Sequence, residues 1–201
     1  LSLDVNQISD ISALKDLINL KFLSLDSNQI SDISVLKNLT NMETIRLDYN
    51  QISDISALAN MTNMKSLYLA HNKIRDISEI KTLVKMEVIN LDNNQISDIS
   101  ALENMTNMER LYLAYNNISD ISTIEGMIKL TDLHLNNNQI SNISPVKDMT
   151  DIKRLYLSDN QIRDISMLKD LTSLTQLNLN NNEISDISVL KDFTRLQSLD
   201  L

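Results

Sequence analysis

Leucine recurs every 22 residues from one end of this chain to the other, at Leu3, Leu25, Leu47, Leu69, Leu91, Leu113, Leu135, Leu157, Leu179 and Leu201, with no replacement. A fixed period of this length admits few folds. Each unit is too short to bury its own apolar face, so successive units must stack and share one core. Positions that keep the repeat build the stack, and positions that break it are free to carry function. The 201 residues therefore read as one domain, an array of nine 22-residue repeats over 1–201, because such an array has no boundary inside it. Both ends fall in mid-pattern, at Leu1-Ser2-Leu3 and Leu199-Asp200-Leu201. The expectation is of an array whose terminal caps are missing.

In the unit from Ile89 to Arg110 the apolar residues are Ile89, Leu91, Ile96, Ile99, Leu102, Met105 and Met108. The first two alternate as a short strand requires. The later ones recur every third residue, which is the period of a 3₁₀ helix rather than an α-helix. The spacing predicts a parallel sheet on one face and 3₁₀ turns on the other. An Asn closes every strand: Asn6, Asn28, Asn50, Asn72, Asn94, Asn116, Asn138, Asn160 and Asn182. A polar residue held this rigidly among apolar ones reads as an inward amide bonding the backbone of the corner, stacked into an internal ladder. Serine is equally constant from Ser12 to Ser188, and the residue two before it is Asp everywhere except at Asn142. Asp or Asn there reads as the cap of a helical turn.

The same residues spell a leucine-rich repeat. NQISDISALKDL, NQISDISALENMTNM and NNEISDISVLKDF resemble the 22-residue repeat of bacterial internalins, surface proteins of Listeria and related Gram-positive bacteria. The resemblance covers the whole chain, although the family's usual Pro after Ile-Ser stands only at Pro145. It implies an α/β solenoid: a right-handed leucine-rich repeat superhelix with short parallel strands on the concave face and 3₁₀ turns on the convex face. It also implies a module exposed on the cell surface or wall, between a helical cap and an immunoglobulin-like domain, that adheres to a host or environmental protein through its concave face.

Composition narrows the alternatives. A formal charge of −9 argues against nucleic acid and anionic membrane surfaces, which are bound by clustered Lys and Arg. No apolar run approaches the roughly 20 residues that cross a bilayer. The absence of Cys removes disulfides, thiolate metal sites and a thiol nucleophile. One glycine, Gly126, cannot make a phosphate-cradling loop. His71 and His134 are three repeats apart, roughly 14 Å at strand spacing, too far to share a metal ion or act as a dyad. The reading is of no enzyme, no metal and no cofactor. Sequons at Asn38, Asn60, Asn104, Asn117 and Asn142 fall out of the repeat consensus.

What breaks the repeat is concentrated on the strands. Outward residues are expected at four places: before the first strand leucine, between the two leucines, and at the two places before the Asn. All five tyrosines, both histidines and three arginines fall there: Arg46, Tyr49, Tyr68, His71, Arg110, Tyr112, Tyr115, His134, Arg154 and Tyr156. Tyr and Arg dominate protein interfaces because each combines large contact area with a polar handle, so these ten are the candidate protein-binding residues. Asp4, Asp26, Asp48 and Asp92 form an acidic column alongside, read either as a patch for a basic partner or as a solvated rim. Three other functions fit the same repeat: a cytosolic regulator of the protein phosphatase 1 type, an iron- or haem-acquiring surface protein, and a consensus-designed scaffold.

Overall fold

The computed structural model describes residues 1–201. Nine three-residue strands lie side by side in chain order as one parallel sheet: β1 Phe22–Ser24, β2 Thr44–Arg46, β3 Ser66–Tyr68, β4 Val88–Asn90, β5 Arg110–Tyr112, β6 Asp132–His134, β7 Arg154–Tyr156, β8 Gln176–Asn178 and β9 Ser198–Asp200. Every strand pairs with the next at a 22-residue offset, as in Leu67 with Ile89 and Leu111 with Leu133. Successive strands are joined by a whole coil, so each circuit lands in register on the last. This is the stacked parallel sheet that the spacing predicts and the solenoid that the resemblance implies.

The three-residue apolar step becomes hydrogen bonding directly. In the fifth unit Leu102 N–H donates to Ile99 C=O, Met105 to Leu102 and Met108 to Met105, at 2.9 to 3.1 Å. Each i to i+3 turn therefore delivers the next apolar side chain to the same interior line. One 3₁₀ helix per unit, such as Ser100–Leu102 or Ser166–Asp170, packs opposite the strands. A single hydrophobic core runs from Ile11 to Phe193, and its central members Met105, Met108, Leu111 and Leu113 are fully buried.

The Asn ladder is present and does more than close its own corner. Asn94 Nδ2 donates to the carbonyls of Leu69, Leu91 and Asp92 at 2.9, 3.1 and 3.2 Å. Its Oδ1 accepts the N–H of Ile74, in the preceding unit, at 3.0 Å. The amide thus ties two coils together, and the same pattern recurs at Asn50, Asn72, Asn116, Asn138, Asn160 and Asn182.

The Asp or Asn two residues before each serine accepts the first free N–H of the 3₁₀ helix, as its position suggests. Asp98 Oδ1 accepts the N–H of Ser100, two residues on, at 2.8 Å, as Asn142 does for Ser144. With Ile99 intervening at φ −113°, the carboxylate reaches only the first helical N–H, so this is an Asx turn. One expectation needs correction: the outward assignment holds only in part at the first of the two places before the Asn. Asp48, Ala70, Ala114 and Ser158 are buried there, whereas Asp4, Asp26, Asp92, Asn136 and Asn180 keep part of their surface. The residue that follows is left-handed in every unit, with φ of 53° to 56° from Val5 to Asn181, and this bend lays the preceding side chain along the next coil.

Candidate protein-binding face

The strand face carries four columns. The leading column is the first strand residue, the central column the third. A shelf column follows the second leucine, and a left-handed column comes just before the Asn. Arg110 and Arg154 stand in the leading column; Arg46, Tyr68, Tyr112, His134 and Tyr156 in the central one; Tyr49, His71 and Tyr115 in the left-handed one. All ten candidates reach the surface, and most of them form two groups.

The larger group spans β5 to β8. The His134 ring lies edge-on between Tyr112 and Tyr156, with centroids 4.5 and 4.4 Å away. Burial between these rings, with Arg154 adding to it and Asp132 opposing, pushes the His134 imidazole down to about 4. It is therefore a neutral aromatic surface at neutral pH rather than a charge. Burial also raises the Tyr112 phenol, with the Asp132 carboxylate adding to it. Arg154 Nε is paired with Asp132 Oδ1, and the Tyr156 hydroxyl donates to Gln176 Oε1. These contacts hold two flexible side chains upright beside the rings. Arg110 is exposed and makes no ion pair.

The smaller group spans β2 and β3. The Arg46 guanidinium carbon lies 4.5 Å from the Tyr68 ring centre, a cation–π distance. Its Nε donates to Asp26 Oδ2 at 2.8 Å, and Nη2 lies 3.9 Å from Asp48 Oδ2. Tyr49 and His71 stack with centroids 4.0 Å apart and planes 13° from parallel. Asn90 on β4 separates the two groups, and Tyr115 stands in the left-handed column outside both aromatic clusters.

Sequence reasoning missed Asp132 and Gln176, which anchor Arg154 and Tyr156. The period held the signal, since both lie 20 to 22 residues from their partners. It also missed the cost of the left-handed column. Asn, Asp, His and Gly adopt this backbone more readily, whereas tyrosine does so at a penalty of about 1–2 kcal/mol. Tyr49 and Tyr115 occupy it nonetheless, with His71 between them.

The acidic column is bonded into the backbone of the stack. Asp4, Asp26, Asp48 and Asp92 each use Oδ1 to accept the backbone N–H of the next shelf residue: Asp26, Asp48, Ala70 and Ala114, at 2.9, 2.8, 2.7 and 2.6 Å. They are stitches between coils before they are anything else. Burial drives Asp48 and Asp92 up to about 6, against the pull of that backbone bond. Asp4 falls instead, chiefly through the Ser24 hydroxyl bonded to it.

No group of His, Asp and Glu side chains is arranged to hold a metal ion. No helix is long and apolar enough to cross a membrane.

A family model described as leucine-rich repeats, in pairs of copies, matches residues 1–38, 18–60, 62–104, 106–148 and 150–192. The chain is a leucine-rich repeat protein. Among solved leucine-rich repeat structures it is similar to the internalin InlF of Listeria monocytogenes, at 32% identity and a TM-score of 0.63, over 100% of this chain and 79% of that one. It is similar to internalin C2 of the same organism, also at 32% identity, with a TM-score of 0.70 over 99% and 78%. This leucine-rich repeat array is internalin-like. The ectodomain of the Arabidopsis thaliana receptor kinase GASSHO1/SCHENGEN3, solved in complex with CASPARIAN STRIP INTEGRITY FACTOR 2, shares the fold at 24% identity and a TM-score of 0.85, over 96% of this chain and 25% of that one. No curated protein matches the chain significantly. The leucine-rich repeat is a protein-interaction module, and no enzymatic family is indicated.

Proposed function

We infer that this array is the non-enzymatic recognition module of a bacterial surface protein, exposed outside the cell, and that it adheres to a host or environmental protein through its strand face. The observation that carries the reading is the His134 group. Three rings pack edge to face across three strands, flanked by Arg154 already fixed by Asp132. Pre-ordered aromatic and arginine side chains lose little entropy on contact and make strong interface anchors. Tyr115 in a backbone region that disfavours it supports the same reading, because Asn or Asp would serve the bend with less strain. The 32% identity to two Listeria internalins supports the surface setting.

The test uses the array as bait for cross-linking to proteins of animal-cell surfaces. The Tyr112→Ala/Tyr156→Ala double variant is expected to lose the captured protein while its melting temperature falls by only a few degrees. Undiminished capture by a folded double variant rejects the strand face as the site. Protease shaving of intact bacteria, which should release the array, tests the location.

A further inference from the structure

We propose that the partner protein docks a carboxylate side chain, aspartate or glutamate, on Arg110 and seats an apolar side chain two residues away on the row of rings formed by Tyr112, His134 and Tyr156. This rests on the strand face being the recognition surface and adds the chemistry of what it recognises.

The leading column is one carboxylate short. Arg110, Asp132 and Arg154 stand in it on three successive strands, in register. Two arginines thus flank one aspartate, and Asp132 is already spent. Its Oδ1 is bonded to Arg154 Nε, and its Oδ2 accepts the Thr131 hydroxyl at 3.1 Å. The acidic residues just before β4 and β5 do not serve Arg110 either. Glu87 pairs with Lys65 at 3.6 Å, and Glu109 forms no ion pair. Elsewhere on this face the cations are neutralised from within. Arg46 is bonded to Asp26 at 2.8 Å and lies over Tyr68, and no lysine stands in any of the four columns. Arg110 is exposed, and it is the one arginine of the strand face whose charge is unspent, in a protein of formal charge −9.

A guanidinium takes the two oxygens of a carboxylate in a fork. A basic side chain would be repelled there, and an apolar one would strip water from the guanidinium and leave its donors unpaired. A polyanion such as nucleic acid needs clustered cations, whereas this face offers one free arginine and carries Asp26, Asp48 and Asp92 farther along. A single carboxylate on a protein is what fits.

The rings set the neighbouring residue. Arg110 and Tyr112 are two apart on β5 and so share one side of the sheet. Tyr112, His134 and Tyr156 continue across β6 and β7 with centroids 4.5 and 4.4 Å apart. Burial holds the His134 imidazole down at about 4, so at neutral pH the row is an uncharged aromatic strip beside one cation. Residues i and i+2 of an extended segment lie roughly 6.6 Å apart on one face, the same span that separates Arg110 from Tyr112 along their strand. The fitting partner segment is extended, with Asp or Glu two residues from an aliphatic or aromatic side chain.

The probe is a phage-displayed library of random dodecapeptides selected on the immobilised array. Peptides enriched on the wild type should carry Asp or Glu two residues from an apolar side chain. The same selection on Arg110→Gln, a substitution the fold accepts since Gln176 stands in this column, should enrich apolar peptides without the acid. A selected peptide with a fluorescein label, titrated by anisotropy, should bind Arg110→Gln at least about tenfold more weakly than wild type. Arg75→Gln makes the same charge change outside the four columns and should weaken binding less than twofold. Enriched peptides without an acid, an acid enriched equally on Arg110→Gln, equal effects of the two substitutions, or no enrichment on the wild type would overturn the proposal. If peptides lacking an acid still lose binding to the Tyr112→Ala/Tyr156→Ala variant, the strand face stands and only the acidic partner falls.

Discussion

Replacing Asp92 by Asn should make the protein more stable at neutral pH. The carboxyl is pushed up to about 6 from an ordinary value near 3.9, a difference of roughly two units, and each unit corresponds to about 1.4 kcal/mol. The upper bound is thus about 3 kcal/mol, and solvent reaching the half-buried side chain reduces it to about 1–2 kcal/mol. The sign follows from proton linkage. The folded state holds this proton more tightly than the unfolded chain, so ionisation removes stability as pH rises from about 4 to 6, and the penalty is complete above that. Asp48 is the charged neighbour that adds to the effect. Asn cannot ionise, its amide oxygen can still accept the Ala114 N–H, and Asn136 and Asn180 already occupy the same place in other units. Urea unfolding of wild type and variant, measured from pH 4 to 8, should show a gap of about 1–2 kcal/mol at pH 7 that closes by about pH 4. Asp98→Asn supplies the contrasting sign. Its carboxyl is lowered by the Ser100 N–H, so its stabilisation is present at neutral pH and lost on acidification. An Asp92→Asn variant that is no more stable at pH 7, or whose advantage is the same at pH 4 and 7, would refute the claim that burial without counter-charge governs this site.

Asn94→Ala removes three donations and one acceptance from a buried amide and should cost on the order of 3 kcal/mol, read by urea unfolding. Faster hydrogen exchange at Ile74 than at remote amides would locate the damage in the preceding coil. Tyr115→Asn relieves the left-handed backbone and should raise stability by about 0.5–1 kcal/mol while weakening partner capture; a loss of stability would show that packing of the ring outweighs the torsion. Met105→Asp puts an unpaired charge at a fully buried position and should unfold its neighbourhood at a cost of about 4 kcal/mol or more, and a variant as stable as wild type by thermal melting would overturn the inside assignment. The His134 ring protons, followed by NMR, should titrate with a midpoint near 4; a midpoint near 6.5 would mean the ring is not enclosed by Tyr112 and Tyr156.

Much of this protein follows from the sequence alone. The uninterrupted leucine period dictates stacked coils, the three-residue apolar step dictates 3₁₀ turns rather than α-helices, and the invariant Asn announces a buried amide ladder. These are properties of a single repeat, and period and polarity express them directly. The placement of tyrosines, histidines and arginines on the strands is legible for the same reason. What only the tertiary structure decided lies between repeats. Asn94 reaches back to Ile74 rather than staying in its own corner. Asp92 reaches forward to Ala114, so an apparently solvated acidic column becomes a set of stitches between coils. His134 meets Tyr112 and Tyr156, and Arg154 meets Asp132, only because strands 22 residues apart lie in register. The left-handed bend occurs without a single glycine, and Asn or Asp stands at only four of its nine positions, so residue type announces it only in part. Composition and periodicity record what each coil buries, whereas backbone torsion and the direction in which coils stack determine which neighbour a side chain finds.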